Sequence, residues 1–208
     1  MILALIHTAD IHRTTFDRLR DRIAPQLGLH HIIREDWLAR ARQRIDGALT
    51  REITETIAMT DGPVLCSCTT LGPIAEAAGA LRVDQPMMRQ AAQSGGKLLI
   101  AYCLKSTEAS SLLLLRREMA RAGNDCGVEP LYLGSLWPLF EAGETESFAK
   151  ATAAALRASV GKRCDLAAVV LAQASMAQAA DYLVDLPIPV LASPETAFRA
   201  ALERIGQA

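Results

Sequence analysis

The chain has 208 residues, 50 % of them hydrophobic and 22 % charged, with a formal net charge of −1. That length allows one large domain or two small lobes with a substantial core. The near-neutral balance, without a basic run, argues against a nucleic-acid partner. Five cysteines, an odd number at irregular spacing, argue against a secreted disulfide framework. Cys66 and Cys68 are one residue apart and complete no zinc pattern. No metal and no cofactor is expected, and a reducing cytoplasm is the expected compartment.

Met1–Ile6 is a short apolar run that lacks a basic leader and meets His7 early, so it reads as a buried strand rather than a signal peptide. The later apolar runs, Leu98–Leu104 and Leu112–Leu115, fall far short of a membrane span. His7-Thr8-Ala9-Asp10 forms the loop after the first strand. Phe16–Ile23 reads as a helix ended by Pro25 and Gly28, and His30–Ile33 as a second strand. Trp37, Ala41, Ile45, Leu49, Ile53 and Ile57 recur at a spacing of four, which predicts one helix with one apolar stripe. Asp61-Gly62-Pro63 breaks it.

The next stretch is Pro63-Val64-Leu65-Cys66-Ser67-Cys68-Thr69-Thr70-Leu71-Gly72-Pro73-Ile74. It reads as a strand end, a small polar turn and a helix start, which puts Cys68 where ligand sites sit in open α/β sheets. Unpaired N–H groups and the helix dipole favour an anion there and lower a thiol's pKa. Downstream, Lys97–Leu104 reads as a strand, Ser106 as the N-cap of the helix carrying Leu112, Leu115 and Met119, and Gly123 as its end. Val128–Leu133 predicts a strand, Thr145–Ser159 a helix and Leu166–Leu171 a strand. Ala172–Met176 opens a helix, Ile188–Leu191 is a last strand and Glu195–Ile205 a terminal helix.

Strands alternating with helices predict an α/β fold with parallel sheets and right-handed crossovers. Val64–Gly72 and Val169–Met176 hold the same place in each half. Two similar lobes follow: residues 1–94, with 193–208 returning to them, and residues 95–192. A cleft between such lobes is the default binding site.

Val64-Leu65-Cys66-Ser67-Cys68-Thr69-Thr70 resembles the Cys-Asn-Thr or Cys-Thr-Thr turn of the aspartate/glutamate/hydantoin racemase superfamily. Val83-Asp84-Gln85-Pro86-Met87 is similar to that family's Asp-Glu-Pro-Met segment. Lys97–Thr107 looks like its strand-to-Thr turn, and Pro189-Val190-Leu191 like its last strand. The resemblance implies two pseudo-symmetric α/β lobes and a cofactor-independent enzyme. Its reaction is proton transfer at the carbon next to the carboxylate of a small acid or amino-acid derivative. It implies one cysteine per lobe, because inverting a stereocentre takes an acid/base group on each side of a planar intermediate.

By position Cys68 matches the first cysteine, and Thr69 and Thr70 the turn that holds the substrate carboxylate. Gln173 stands where the second cysteine belongs. His7, Thr8 and Asp10 fall where the family places groups that contact substrate or tune the cysteine. Ser106, Thr107, Ala174 and Ser175 fall in the second lobe's turns. A one-cysteine decarboxylase of the arylmalonate type, or a carboxylate-binding protein without catalysis, fits the same residues. Thr69, Thr70, Ser106 and Thr107 also suit plain helix caps, Cys68 an inert core thiol, His7 a satisfied loop histidine and Asp84 a loop pin. Cys66, Cys103, Cys126 and Cys164 read as structural. No nucleic-acid or membrane partner is expected, and Leu112–Leu115 leaves room for either core or a homo-oligomer interface.

Overall fold

Six residues, Ile2–His7, form strand β1, and from Leu3 onward every one is buried. Only a strand covered on both faces needs so continuous an apolar run. Helix α1 (Ile11–Ile23) and strand β2 (Gly28–Ile33) follow, then helices α2 (Glu35–Gln43) and α3 (Gly47–Ala58). Strand β3 (Val64–Cys66), helix α4 (Gly72–Ala77) and the short strand β4 (Leu81–Arg82) complete a sheet of order β2-β1-β3-β4. All its pairings are parallel.

The second sheet repeats this plan. After helix α5 (Gln85–Ala92) come β5 (Lys97–Tyr102), α6 (Lys105–Ala122) and β6 (Val128–Tyr132). A short 3-10 turn leads into α7 (Trp137–Glu141), followed by α8 (Thr145–Val160) and β7 (Leu166–Leu171). A 3-10 stretch over Ala174–Tyr182, then β8 (Val190–Ala192) and α9 (Ser193–Gly206), end the chain. The order is β6-β5-β7-β8, again parallel throughout.

This computed structural model describes residues 1–161 and 163–206. The last two residues of the segment assigned above to the first lobe, 207 and 208, lie outside it. By contacts the chain forms two units: Met1–Pro86 with the segment from Pro194 onward, and Met87–Ser193. In the first core, Ala4, Ile6 and Cys66 of the sheet meet Trp37, Leu49, Ile53, Leu71 and Ala75. In the second, Leu98, Ile100, Ala168 and Val170 meet Leu114, Leu115 and Met119 of α6. Met87, Met88, Ala91 and Ala92 of α5 pack into this second core, although the sequence reading grouped them with the first lobe. No helix among the described residues is long and apolar enough to cross a membrane.

Three local expectations need correction. The single helix through Trp37 and Ile57 is two, because Asp46 caps α3 by accepting from the Leu49 N–H at 2.8 Å. An available cap ends a helix more readily than an apolar spacing extends it. Ile45 consequently falls in the joint and is 45 % exposed. Ser106 lies inside the first turn of α6, whose N-cap position is Leu104. The turn after β7 opens a 3-10 stretch rather than an α-helix.

Candidate functional site

In the first unit, the chain leaves β3 at Cys66, and the Ser67 N–H extends the ladder to the Ile6 carbonyl at 2.9 Å. Cys68 comes next and is buried. The Thr8 hydroxyl and the backbone N–H groups of Thr70 and Leu71 hydrogen-bond its sulfur, and each of these contacts favours the thiolate. Burial acts the other way and is the larger effect, so the Cys68 thiol lies above its ordinary pKa. This corrects the lowered pKa expected from a strand-to-helix turn. Helix α4 has only six residues, and desolvation outweighs what so short a helix start supplies. Cys68 therefore rests as a thiol, a proton donor, with three groups in place to stabilise the anion it leaves.

His7 lies behind the same turn and is fully buried. Its Nδ1 is 2.8 Å from Ser67 Oγ and its Nε2 is 2.9 Å from His31 Nδ1; His31 Nε2 lies 3.3 Å from Asp17 Oδ1. The single Ser67 O–H donates to the Ile6 carbonyl at 3.1 Å, so Ser67 Oγ accepts from His7 Nδ1–H and the other ring nitrogen of His7 accepts from His31 Nδ1–H. Burial lowers the His7 pKa to about 3, helped by the neighbouring His12, His31 and Arg13. His7 is thus a neutral ring with both nitrogens engaged, and it braces Ser67, the residue before Cys68.

Thr69 and Thr70 are buried in the turn, and the Gly72 N–H closes it on the Thr69 carbonyl at 3.1 Å. Asp10 stands at the N-cap position of α1 without a capping hydrogen bond. Its exposed side chain pairs with Arg13 at 3.3 Å. Three of the candidates, Cys68, Thr8 and Thr70, therefore come together around one sulfur. Sequence reasoning missed the Ser67–His31–Asp17 chain behind them, because no local motif links residues 67, 31 and 17.

In the second unit the turn after β7 carries Gln173, whose Oε1 accepts from the backbone N–H of Cys103 at 2.6 Å and of Leu104 at 3.0 Å. Two N–H donors fix which end of the amide is oxygen. Thr107 and Ala174 are buried nearby in sequence, and Ser175 Oγ is buried without a hydrogen-bond partner among the described residues. Burial lifts the Cys103 thiol to about 12. No cluster of three or more His, Cys, Asp or Glu side chains among the described residues is arranged to hold a metal.

Two α/β units with matching strand order, each opening a small polar turn after its third strand, make up a fold that this chain shares with solved racemases and a decarboxylase. A glutamate racemase from Francisella tularensis, solved with D-glutamate, superposes with a TM-score of 0.70 at 13 % identity, covering 99 % of this chain and 81 % of that one. An aspartate racemase from Picrophilus torridus gives 0.61 at 14 % identity over 99 % of this chain and 94 % of that one. A liganded arylmalonate decarboxylase with two substitutions gives 0.59 at 13 % identity over 97 % and 91 %. No protein-family model and no curated protein sequence matches the chain. At these identities the likeness is one of fold.

Proposed function

We propose that this protein is a cofactor-independent, racemase- or isomerase-like enzyme. It transfers a proton at the carbon next to the carboxylate of a small acid or amino-acid derivative, and Cys68 is the acid/base group. One observation carries the reading: a buried thiol at a strand end whose sulfur is met by Thr8, the Thr70 N–H and the Leu71 N–H. An inert core cysteine needs no such set of donors. As the thiol, Cys68 protonates a carbanionic carbon; as the thiolate those donors stabilise, it removes an α-proton. The hydroxyls of Thr69 and Thr70 are the groups proposed to hold the carboxylate.

Gln173 favours a second reading. A neutral amide exchanges no proton near neutral pH, and its oxygen is already engaged by Cys103 and Leu104. Racemisation takes two acid/base groups, whereas decarboxylation takes one donor. In that reaction the C–CO₂ bond breaks, its electron pair passes into the enolate, and the Cys68 proton then goes to carbon; water reprotonates the thiolate.

Incubating amino acids, hydantoins and substituted malonates with the protein in D₂O separates the readings. Deuterium at the α-carbon with both enantiomers formed supports the racemase. Deuterium with CO₂ release and one enantiomer supports the lyase. Neither signal above a Cys68→Ala blank overturns both.

A further inference from the structure

A buried ion pair stands against the Cys68 turn, and the chemistry above does not use it. Arg82, in β4, donates through Nε to Asp84 Oδ1 at 2.9 Å and through Nη2 to Asp84 Oδ2 at 2.8 Å. Arg82 is 4 % exposed and Asp84 is fully buried. A third contact runs from Arg82 Nη1 to Glu76 Oε2 of α4 at 3.5 Å. Removing both charges from water costs several kcal/mol per ion, and a pair of apolar side chains often serves stability as well. The pair's position suggests what it does instead.

Arg82 lies opposite Cys66 in the β3–β4 register, and the Val83 N–H donates to the Cys66 carbonyl at 3.1 Å. The guanidinium reaches from there to the start of α4. A Cβ on Gly72 would come within 2.7 Å of Arg82 Nε, so the missing side chain of Gly72 makes room for the guanidinium. The strand before Cys68 and the helix after it are thus tied to one fork. The turn between them carries the N–H groups of Thr70 and Leu71 that meet the Cys68 sulfur.

We propose that Arg82 and Asp84 are positioning residues for Cys68. The fork fixes the turn so that its N–H groups face the sulfur, and the charge of Asp84 adds a smaller push in the same direction as the burial of Cys68. The charge of Asp84 disfavours the thiolate at both Cys68 and Cys66, consistent with this arrangement. The proposal rests on Cys68 being the acid/base group. Its test reads the thiol itself, so a failed search for substrate leaves it standing.

The experiment is pH-dependent alkylation of the native protein with iodoacetamide, followed by peptide mapping, with the exposed Cys126 and Cys164 as internal references. Asp84→Asn keeps the size of the side chain and removes its charge. Labelling of Cys68 should then reach half its limiting rate a fraction of a pH unit lower, roughly two- to threefold faster near neutrality, with the limiting rate unchanged. Asp84→Glu, which restores the charge, should move the midpoint back. Gly72→Ala pushes on the guanidinium with both charges kept, so it should raise the limiting rate of Cys68 labelling several-fold. An unmoved or raised midpoint in Asp84→Asn overturns the charge role. An unchanged limiting rate in Gly72→Ala overturns the clamp, and decides the matter if the Asp84 variants do not fold. Equal acceleration at Cys103 in any variant indicates general loosening and counts against the proposal.

Discussion

The side-chain oxygen of Gln173 lies 2.6 Å from the backbone nitrogen of Cys103 and ties the ends of β7 and β5 together. The first unit makes the same tie with different chemistry. Ser67 N–H donates to the Ile6 carbonyl, and Ala172 N–H donates to the Ala101 carbonyl, both at 2.9 Å. The registers Ile6↔Cys66 and Ala101↔Leu171 then make Thr8 the counterpart of Cys103 and Cys68 the counterpart of Gln173. One unit sets a hydroxyl beside a thiol, whereas the other sets an amide against a backbone turn. The second turn therefore serves as a structural fastening in the place where the resemblance called for a second acid/base group.

Removing that fastening should be expensive. Gln173→Ala leaves the N–H groups of Cys103 and Leu104 without their acceptor. A buried donor left unsatisfied costs about 1–3 kcal/mol, so urea unfolding should show a loss on the order of 2–4 kcal/mol for the two. Gln173→Glu keeps an acceptor in reach and should lose less. Equal losses for both variants would mean that the hydrogen bonds contribute little.

The joint between α2 and α3 yields a second comparison. Ile45 is 45 % exposed and Leu49 is fully buried. Ile45→Lys should shift stability by no more than ~0.5 kcal/mol, whereas Leu49→Ala should cost about 2–5 kcal/mol. Asp46→Ala, which removes the cap on the Leu49 N–H, should cost about 1 kcal/mol. Chemical denaturation of the three variants decides whether the helix is divided here; a large loss for Ile45→Lys would contradict it.

This joint also marks what the sequence conveys and what it leaves out. Apolar runs bounded by turn residues made β1, β5 and β7 legible, since a strand buried on both faces has no other way to read. The Gly123 end of α6 was legible for a similar local reason, its left-handed φ of 68°. The spacing of four from Trp37 to Ile57 misled, because two helices in sequence present the same period as one. At the site, Cys68 stood out through its own turn. Thr8, the Ser67–His7–His31–Asp17 chain and the Arg82 fork depend on strand neighbours brought together by the sheet, and no spacing along the chain encodes that.

Thiol reactivity should order itself by exposure first. Cys126 and Cys164 are exposed, and Cys66, Cys68 and Cys103 are buried. Among the buried three, Cys68 should label first, because the Thr8 hydroxyl and two N–H groups oppose the effect of its burial, whereas burial meets less opposition at Cys66 and Cys103. Thr8→Val removes one of those donors and should slow Cys68 labelling roughly three- to tenfold near neutrality, the effect of about half to one pKa unit. Timed alkylation with peptide mapping measures it. Labelling of Cys103 ahead of Cys68 would contradict the assignment.

Acid should weaken the fold through two buried rings. Burial lowers His7 from 6.5 to about 3 and His12 from 6.5 to about 4. Both bind protons more weakly folded than unfolded, so their contribution is fully present above pH 6.5 and is lost as pH falls toward 4. Each ring contributes a slope of up to roughly 1.4 kcal/mol per pH unit in that window. Urea midpoints should therefore drop steeply between pH 6.5 and 4.5, and a His12→Gln variant should show about half the histidine-dependent slope. Constant midpoints across that range would show that the rings titrate folded as they do unfolded.

Two glycines should respond oppositely to the same added methyl group. A Cβ at Gly47, the first residue of α3, meets nothing within 4 Å. Gly47→Ala should stabilise the fold by about 0.4–1 kcal/mol, since alanine restricts the unfolded chain and suits a helix. At Gly72 the Cβ would come within 2.7 Å of Arg82 Nε. A flexible arginine would swing aside, but this one is buried and held at two points by Asp84. Moving it breaks the fork and leaves Asp84 buried with a poorer partner, so Gly72→Ala should destabilise by about 1–3 kcal/mol. Thermal or urea unfolding of the pair separates the two effects, because helix propensity favours alanine at both positions and only the contact with Arg82 distinguishes them. A stabilising Gly72→Ala would mean that the guanidinium is free to move.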